Sequence, residues 1–124
     1  MDKIKYSAIN NYLDKNLDKL KLASFKGDVV KGLREVIRLI KNGRAEEVYL
    51  ALGDDLGNKY FDVVTKFTKS YLGKNPVIIK DFRILRDIVI CKKPNELIEL
   101  HQNKFNVKNK GPKCYCAAIV KSYV

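Results

Sequence analysis

Apolar side chains recur along this chain first at helical spacing and then in short continuous runs, and that alternation predicts its elements. Ile9, Leu13, Leu17 and Leu20 step by four, four and three, which predicts an amphipathic helix over residues 6–22 with a Lys/Asp/Asn outer face. Ser24 to Gly27 reads as a short connector or an edge strand. Behind Asp28, placed as an N-cap, Val29, Leu33, Val36, Ile37 and Ile40 predict a helix of about four turns. Gly43 stops it, with Lys41 and Arg44 suited to the negative end of its dipole. The apolar run Val48-Tyr49-Leu50-Ala51-Leu52 then reads as a buried central strand.

Leu56, Tyr60, Val63, Val64, Phe67 and Tyr71 mark a third helix ending near Gly73, and Pro76 starts the strand Val77-Ile78-Ile79. Asp81 suits the cap of a fourth helix, with Phe82, Leu85, Ile88 and Val89 inward, Lys80, Arg83 and Arg86 outward, and Cys91 at its close. Residues 92–113 hold Pro94, one helical turn near Glu96 to His101, and a basic run with few apolar anchors, which reads as a loop or an edge hairpin. The last strand, Tyr115 to Val120, is apolar enough to be central, so it must insert between earlier strands. The expected fold is a single α/β domain over residues 1–124: a three-layer α-β-α sandwich around a small mixed, roughly four-stranded sheet.

Composition sharpens the picture through charge. The chain has 25 basic and 14 acidic residues, a net charge of +11, which implies an anionic partner such as RNA, DNA or an acidic membrane surface. Residues 1–26 carry six basic and three acidic groups, residues 27–73 eight and seven, and residues 74–124 eleven and four, so the positive field is concentrated in the last third. No run of 18 apolar residues occurs and the first residues lack a secretory pattern, so a soluble, intracellular protein is expected. Three cysteines, Cys91, Cys114 and Cys116, suit a reducing compartment.

Candidate chemistry is sparse. Lys31, Gly32, Arg34 and Glu35 open the helix behind Asp28, where the positive end of a dipole and a glycine permit a phosphate backbone to approach. Asp54 and Asp55 follow a strand as an acidic pair would in a Mg²⁺-dependent receiver, but also read simply as a loop and a helix cap. Cys114 and Cys116, two apart on a strand, are expected on one face as buried thiols with Tyr115 opposite, since Cys91 and His101 supply no zinc spacing. One histidine and the absence of nucleophile-elbow or phosphate-loop motifs point away from an enzyme, and no cofactor or metal is expected.

Lys31-Gly32-Leu33-Arg34-Glu35 resembles the K-G-x-N-E signature of the kink-turn-binding ribosomal protein superfamily, with Arg34 at the asparagine position. Within it, Gly32-Leu33-Arg34-Glu35 and Cys114-Tyr115-Cys116-Ala117-Ala118-Ile119-Val120-Lys121-Ser122-Tyr123 resemble the G-[LI]-R-E helix and the C-x-C-x-x-V-V-K-x-Y strand of the eukaryotic small-subunit ribosomal protein twelve family. The likeness covers roughly residues 13–91 and 112–124. Residues 92–111 are longer than the family's segment, and its helix after the last strand has no counterpart before Val124.

The resemblance implies an rRNA-binding structural protein of the small subunit head, in the beak, cytoplasmic on the ribosome. Its partners would be small-subunit rRNA and neighbouring ribosomal proteins of the head, with no membrane and no small-molecule substrate. The helix start would clasp RNA together with the loop Gly53 to Gly57. An arginine lacks the donor and acceptor pair of an amide, so ribosomal placement without kink-turn specificity is the better fit. The expected RNA-binding set is Lys31, Gly32, Arg34, Glu35, Lys59, Arg83, Arg86, Lys104, Lys108, Lys110 and Lys113. The segment from Lys104 to Lys113 is expected to be mobile alone and ordered against RNA. A kink-turn binder of a small nucleolar or spliceosomal particle and a receiver-like α/β domain are the alternatives.

Overall fold

The structure is a computed structural model and describes residues 17–52, 55–80, 82–90, 93 and 114–121, with the backbone alone of 55–58. Its elements are α1 (Asp18–Lys26), β1 (Val29–Lys31), α2 (Leu33–Lys41), β2 (Ala45–Ala51), α3 (Asp55–Leu72), β3 (Val77–Ile79), α4 (Phe82–Ile90) and β4 (Cys116–Val120). The strands form one sheet in the order β1-β4-β2-β3. β4 is antiparallel to both β1 and β2, and β3 runs parallel to β2. The last strand is therefore central, as its apolar run requires. The four-stranded mixed sheet and the helices on its two faces form the expected three-layer sandwich.

The two layers follow from alternation along β2 and β4. Tyr49, Ala51, Ala117 and Ile119 face a cluster with Leu20 and Ala23 of α1 and Ile84, Leu85, Ile88 and Val89 of α4. Val48, Leu50, Cys116 and Ala118 face the other, with Val36 and Ile40 of α2 and Val64 of α3. β4 is buried on both sides along Cys116, Ala117, Ala118 and Ile119. Its small side chains let helices approach the sheet closely from each face.

Three expectations are corrected. The first helix runs through Lys26, and its part before Leu17 lies outside the described residues. Ser24 is neither connector nor strand: it is buried in α1, its Oγ donating to Ile88 O at 3.0 Å, and Gly27, at φ 79°, ends the helix. The second correction is larger. Val29-Val30-Lys31 is an edge strand paired with Ala117 to Ile119, and the helix begins only at Leu33. Two adjacent β-branched valines favour the extended chain, and Gly32, at φ 92°, makes the turn into α2 that a residue with a Cβ would strain to adopt. Val29 mimicked a helical position because it lies four residues before Leu33.

The third correction concerns the thiols. Cys114 packs in the α1/α4 cluster and Cys116 in the α2/α3 cluster, so the pair straddles the sheet. β4 starts at Cys116 rather than Tyr115, so two-residue alternation does not reach back to Cys114. The segment 92–113, apart from Lys93, lies outside the described residues, as do the loop residues Gly53 and Asp54, Asp81, Cys91 and His101.

Candidate nucleic-acid interface

Because β1, β2 and β3 all run the same way, each delivers its C-terminal end to one rim of the sheet, where α2, α3 and α4 begin. Lys31 pairs with Ala117, Leu50 with Cys116, and Ala51 with Ile79, so the start of β4 lies on this rim too. Helix starts carry unsatisfied backbone N–H groups and the positive end of the dipole. Open α/β sheets hold ligands outside such strand ends.

The start of α2 is the most open of these. Gly32 occupies its N-cap position and no side chain caps the helix, so its first backbone N–H groups have no side-chain acceptor. Gly32 N–H donates to Cys116 O at 3.1 Å, and Val36 N–H donates to Gly32 O at 3.0 Å, which fixes the turn between strand and helix. A Cβ built on Gly32 would meet nothing within 4 Å. The glycine thus serves the backbone conformation, and the space above it is clear for a ligand.

Lys31 and Arg34 flank this turn and are exposed. Glu35 is exposed as well and pairs with Arg38 at 3.4 Å, a surface pair worth little to stability. Lys59, in the second turn of α3, and Arg83, in the first turn of α4, are exposed near the same rim. Arg86 is set apart: its side chain is only 18% exposed, its Nε lies 3.4 Å from Asp87 Oδ1, and its guanidinium lies 5.9 Å from the Phe82 ring centroid. It braces the α4 layer. Lys104, Lys108, Lys110 and Lys113 lie outside the described residues.

Beneath the rim, Tyr115 joins the two layers. Its ring lies 5.9 Å from Tyr60 of α3, edge-on, and 5.2 Å from Phe82 of α4. Ala51 N–H donates to Tyr115 O at 2.7 Å, extending the sheet contact past the end of β4. Burial pushes the Cys114 thiol up to about 11, with the charge of Lys31 acting against it. Burial, reinforced by Cys114, pushes Cys116 up to about 12. Burial thus holds both thiols in the protonated form at neutral pH.

Lys80 is a rim residue that the expected set omitted. It is exposed directly after β3, and a parallel β3 places it beside the end of β2. The run Ile78-Ile79-Lys80 placed it after a strand, but only the parallel pairing of β3 with β2 puts it on the rim. No helix among the described residues is long and apolar enough to cross a membrane. The chain matches no protein-family model and no curated protein at a significant level.

Proposed function

We propose that this protein is a structural RNA-binding component of the eukaryotic small ribosomal subunit, seated on rRNA in the beak of the head. Basic side chains on the rim replace counterions around folded RNA, and the rigid sandwich holds neighbouring rRNA and protein in place. The observation that supports RNA binding is the rim itself. Lys31, Arg34, Lys59, Lys80 and Arg83 stand around three helix starts, one of them uncapped at a glycine, on a chain of net charge +11. The beak of the small subunit enters through the sequence resemblance. No catalytic residue belongs to this reading.

The test is binding of purified protein to small-subunit rRNA across a salt series. Affinity should fall steeply with salt, and the double variant Lys31→Glu/Arg34→Glu should bind on the order of a hundredfold more weakly with an unchanged melting temperature. Equal affinity of variant and parent would remove the rim from the interface. Selective binding of a kink-turn RNA over rRNA would move the protein to a nucleolar or spliceosomal particle.

A further inference from the structure

The corner between α2 and β2 holds a reactive dipeptide. Asn42 is the chain's one asparagine followed by a glycine, and both Asn42 and Gly43 are exposed. In such a pair the glycine's backbone nitrogen, once deprotonated, attacks the side-chain amide carbon of the asparagine, because a following residue without a Cβ leaves that nitrogen open to approach. The new C–N bond closes a five-membered succinimide, and the side-chain amide leaves as ammonia. Water then opens the ring at one of its two carbonyls, giving aspartate or isoaspartate. Water is the only co-reactant.

The backbone of the corner opposes every part of this reaction. Gly43 N–H donates to Ile40 O at 3.0 Å and Arg44 N–H to Leu39 O at 3.1 Å, the paired closure of a helix end at a left-handed residue, here Gly43 at φ 70°. The attacking nitrogen therefore has its proton held by a carbonyl. Ring closure also requires that nitrogen to swing beside the Asn42 Cβ, whereas at ψ 0° it eclipses the nitrogen of Asn42 instead. The ring cannot close unless the corner comes apart. Two contacts pin it: Lys41 sets its Nζ 5.0 Å from the Phe67 ring centroid on α3, and Lys121 N–H, just after β4, donates to Arg44 O at 2.8 Å. A Cβ built on Gly43 would meet nothing within 4 Å, so backbone geometry rather than a covering side chain is the restraint.

We propose that Asn42 is a latent deamidation site, held closed by the α2–β2 corner and modified only in chains whose corner has opened. Isoaspartate routes the main chain through the former side chain and adds a backbone atom before Gly43, which puts both closing hydrogen bonds out of register. Modification is thus a lasting mark of opening. The inference is independent of what the basic rim binds.

The experiment incubates the full chain at mildly alkaline pH with and without urea, and follows by peptide mass spectrometry the mass gain of amide-to-acid conversion. In urea the peptide holding Asn42 should be the first asparagine peptide to gain mass, and without urea its gain should be at least about tenfold slower. Asn42→Gln, whose longer side chain must close a six-membered ring, should abolish the gain at this position. Lys121→Pro deletes the N–H that ties Arg44 to the end of β4, and should speed the native reaction severalfold while circular dichroism stays that of the parent. A native rate equal to the rate in urea would overturn the gating, as would a folded Lys121→Pro with the parent's rate. A chain unmodified at Asn42 even in urea would remove the site altogether.

Discussion

The α1/α4 layer is tied together by a hydrogen bond between its helices, whereas the α2/α3 layer joins its helices by apolar contact and a lysine on an aromatic ring. Each layer buries a hydroxyl that donates to a backbone carbonyl. Ser24 Oγ of α1 donates to Ile88 O at 3.0 Å and lies 3.4 Å from Val89 O. Both carbonyls belong to the last described turn of α4. Thr68 Oγ1 donates instead to Val64 O at 2.7 Å, one turn back on α3. One hydroxyl links positions 64 residues apart, on two different helices. The other binds a carbonyl of its own helix. Equal burial therefore does not mean equal consequence, because what matters is the group left without a partner when the hydroxyl is removed.

The largest test asks whether the layers are separate at all. Leu85 and Ile40 are fully buried in opposite clusters, and Leu85→Ala or Ile40→Ala should each cost about 2–5 kcal/mol. Since β2 and β4 send side chains to both faces, urea unfolding should remain one transition by circular dichroism and tyrosine fluorescence alike. Two separated transitions would make the layers independent units.

The next effect uses the thiols, one in each layer. Their folded values of about 11 and about 12 lie above the ordinary 9.0, so the stability they contribute is full below about pH 9 and is lost as pH rises through the folded values. The loss should be on the order of 2–4 kcal/mol per thiol at high pH. Stability of the parent should thus fall more steeply above pH 9 than that of Cys114→Ala/Cys116→Ala. Parallel profiles would mean the thiols ionise as readily folded as unfolded. The smallest effects sharpen the hydroxyl comparison directly: Ser24→Ala should cost about 1 kcal/mol, and Thr68→Val should stay within about 0.5 kcal/mol. Denaturant midpoints decide it, and a reversed order would undo the comparison.

Much of this architecture was legible because burial imposes a period. The stripes of α2, α3 and α4 and the apolar runs of β2, β3 and β4 all show in the order of residues, as does the need for β4 to be central. What escaped depended on contacts distant in sequence. Val29 and Val30 become a strand because β4 arrives beside them, and their spacing to Leu33 masked it. Ser24 stays helical where its acceptors on α4 lie. The two cysteines divide between layers because the strand begins between them. For the candidate interface, Lys31, Gly32 and Arg34 were legible as a local motif. Lys80 and the isolation of Arg86 were not, since they depend on strand direction and on an aromatic neighbour from the same helix.

The central position of β4 also sets an order of events during synthesis. β1 and β2 share no hydrogen bonds; each pairs with β4, which leaves the translating machinery some 65 residues after β2. Until then, among the described residues, β1 has no sheet partner and β2 has only β3. A nascent chain must hold two incomplete layers, with the apolar edge of β2 exposed, while the basic stretch before β4 is made. Its high positive charge makes such unfinished chains repel one another, which opposes aggregation until the last strand slots in.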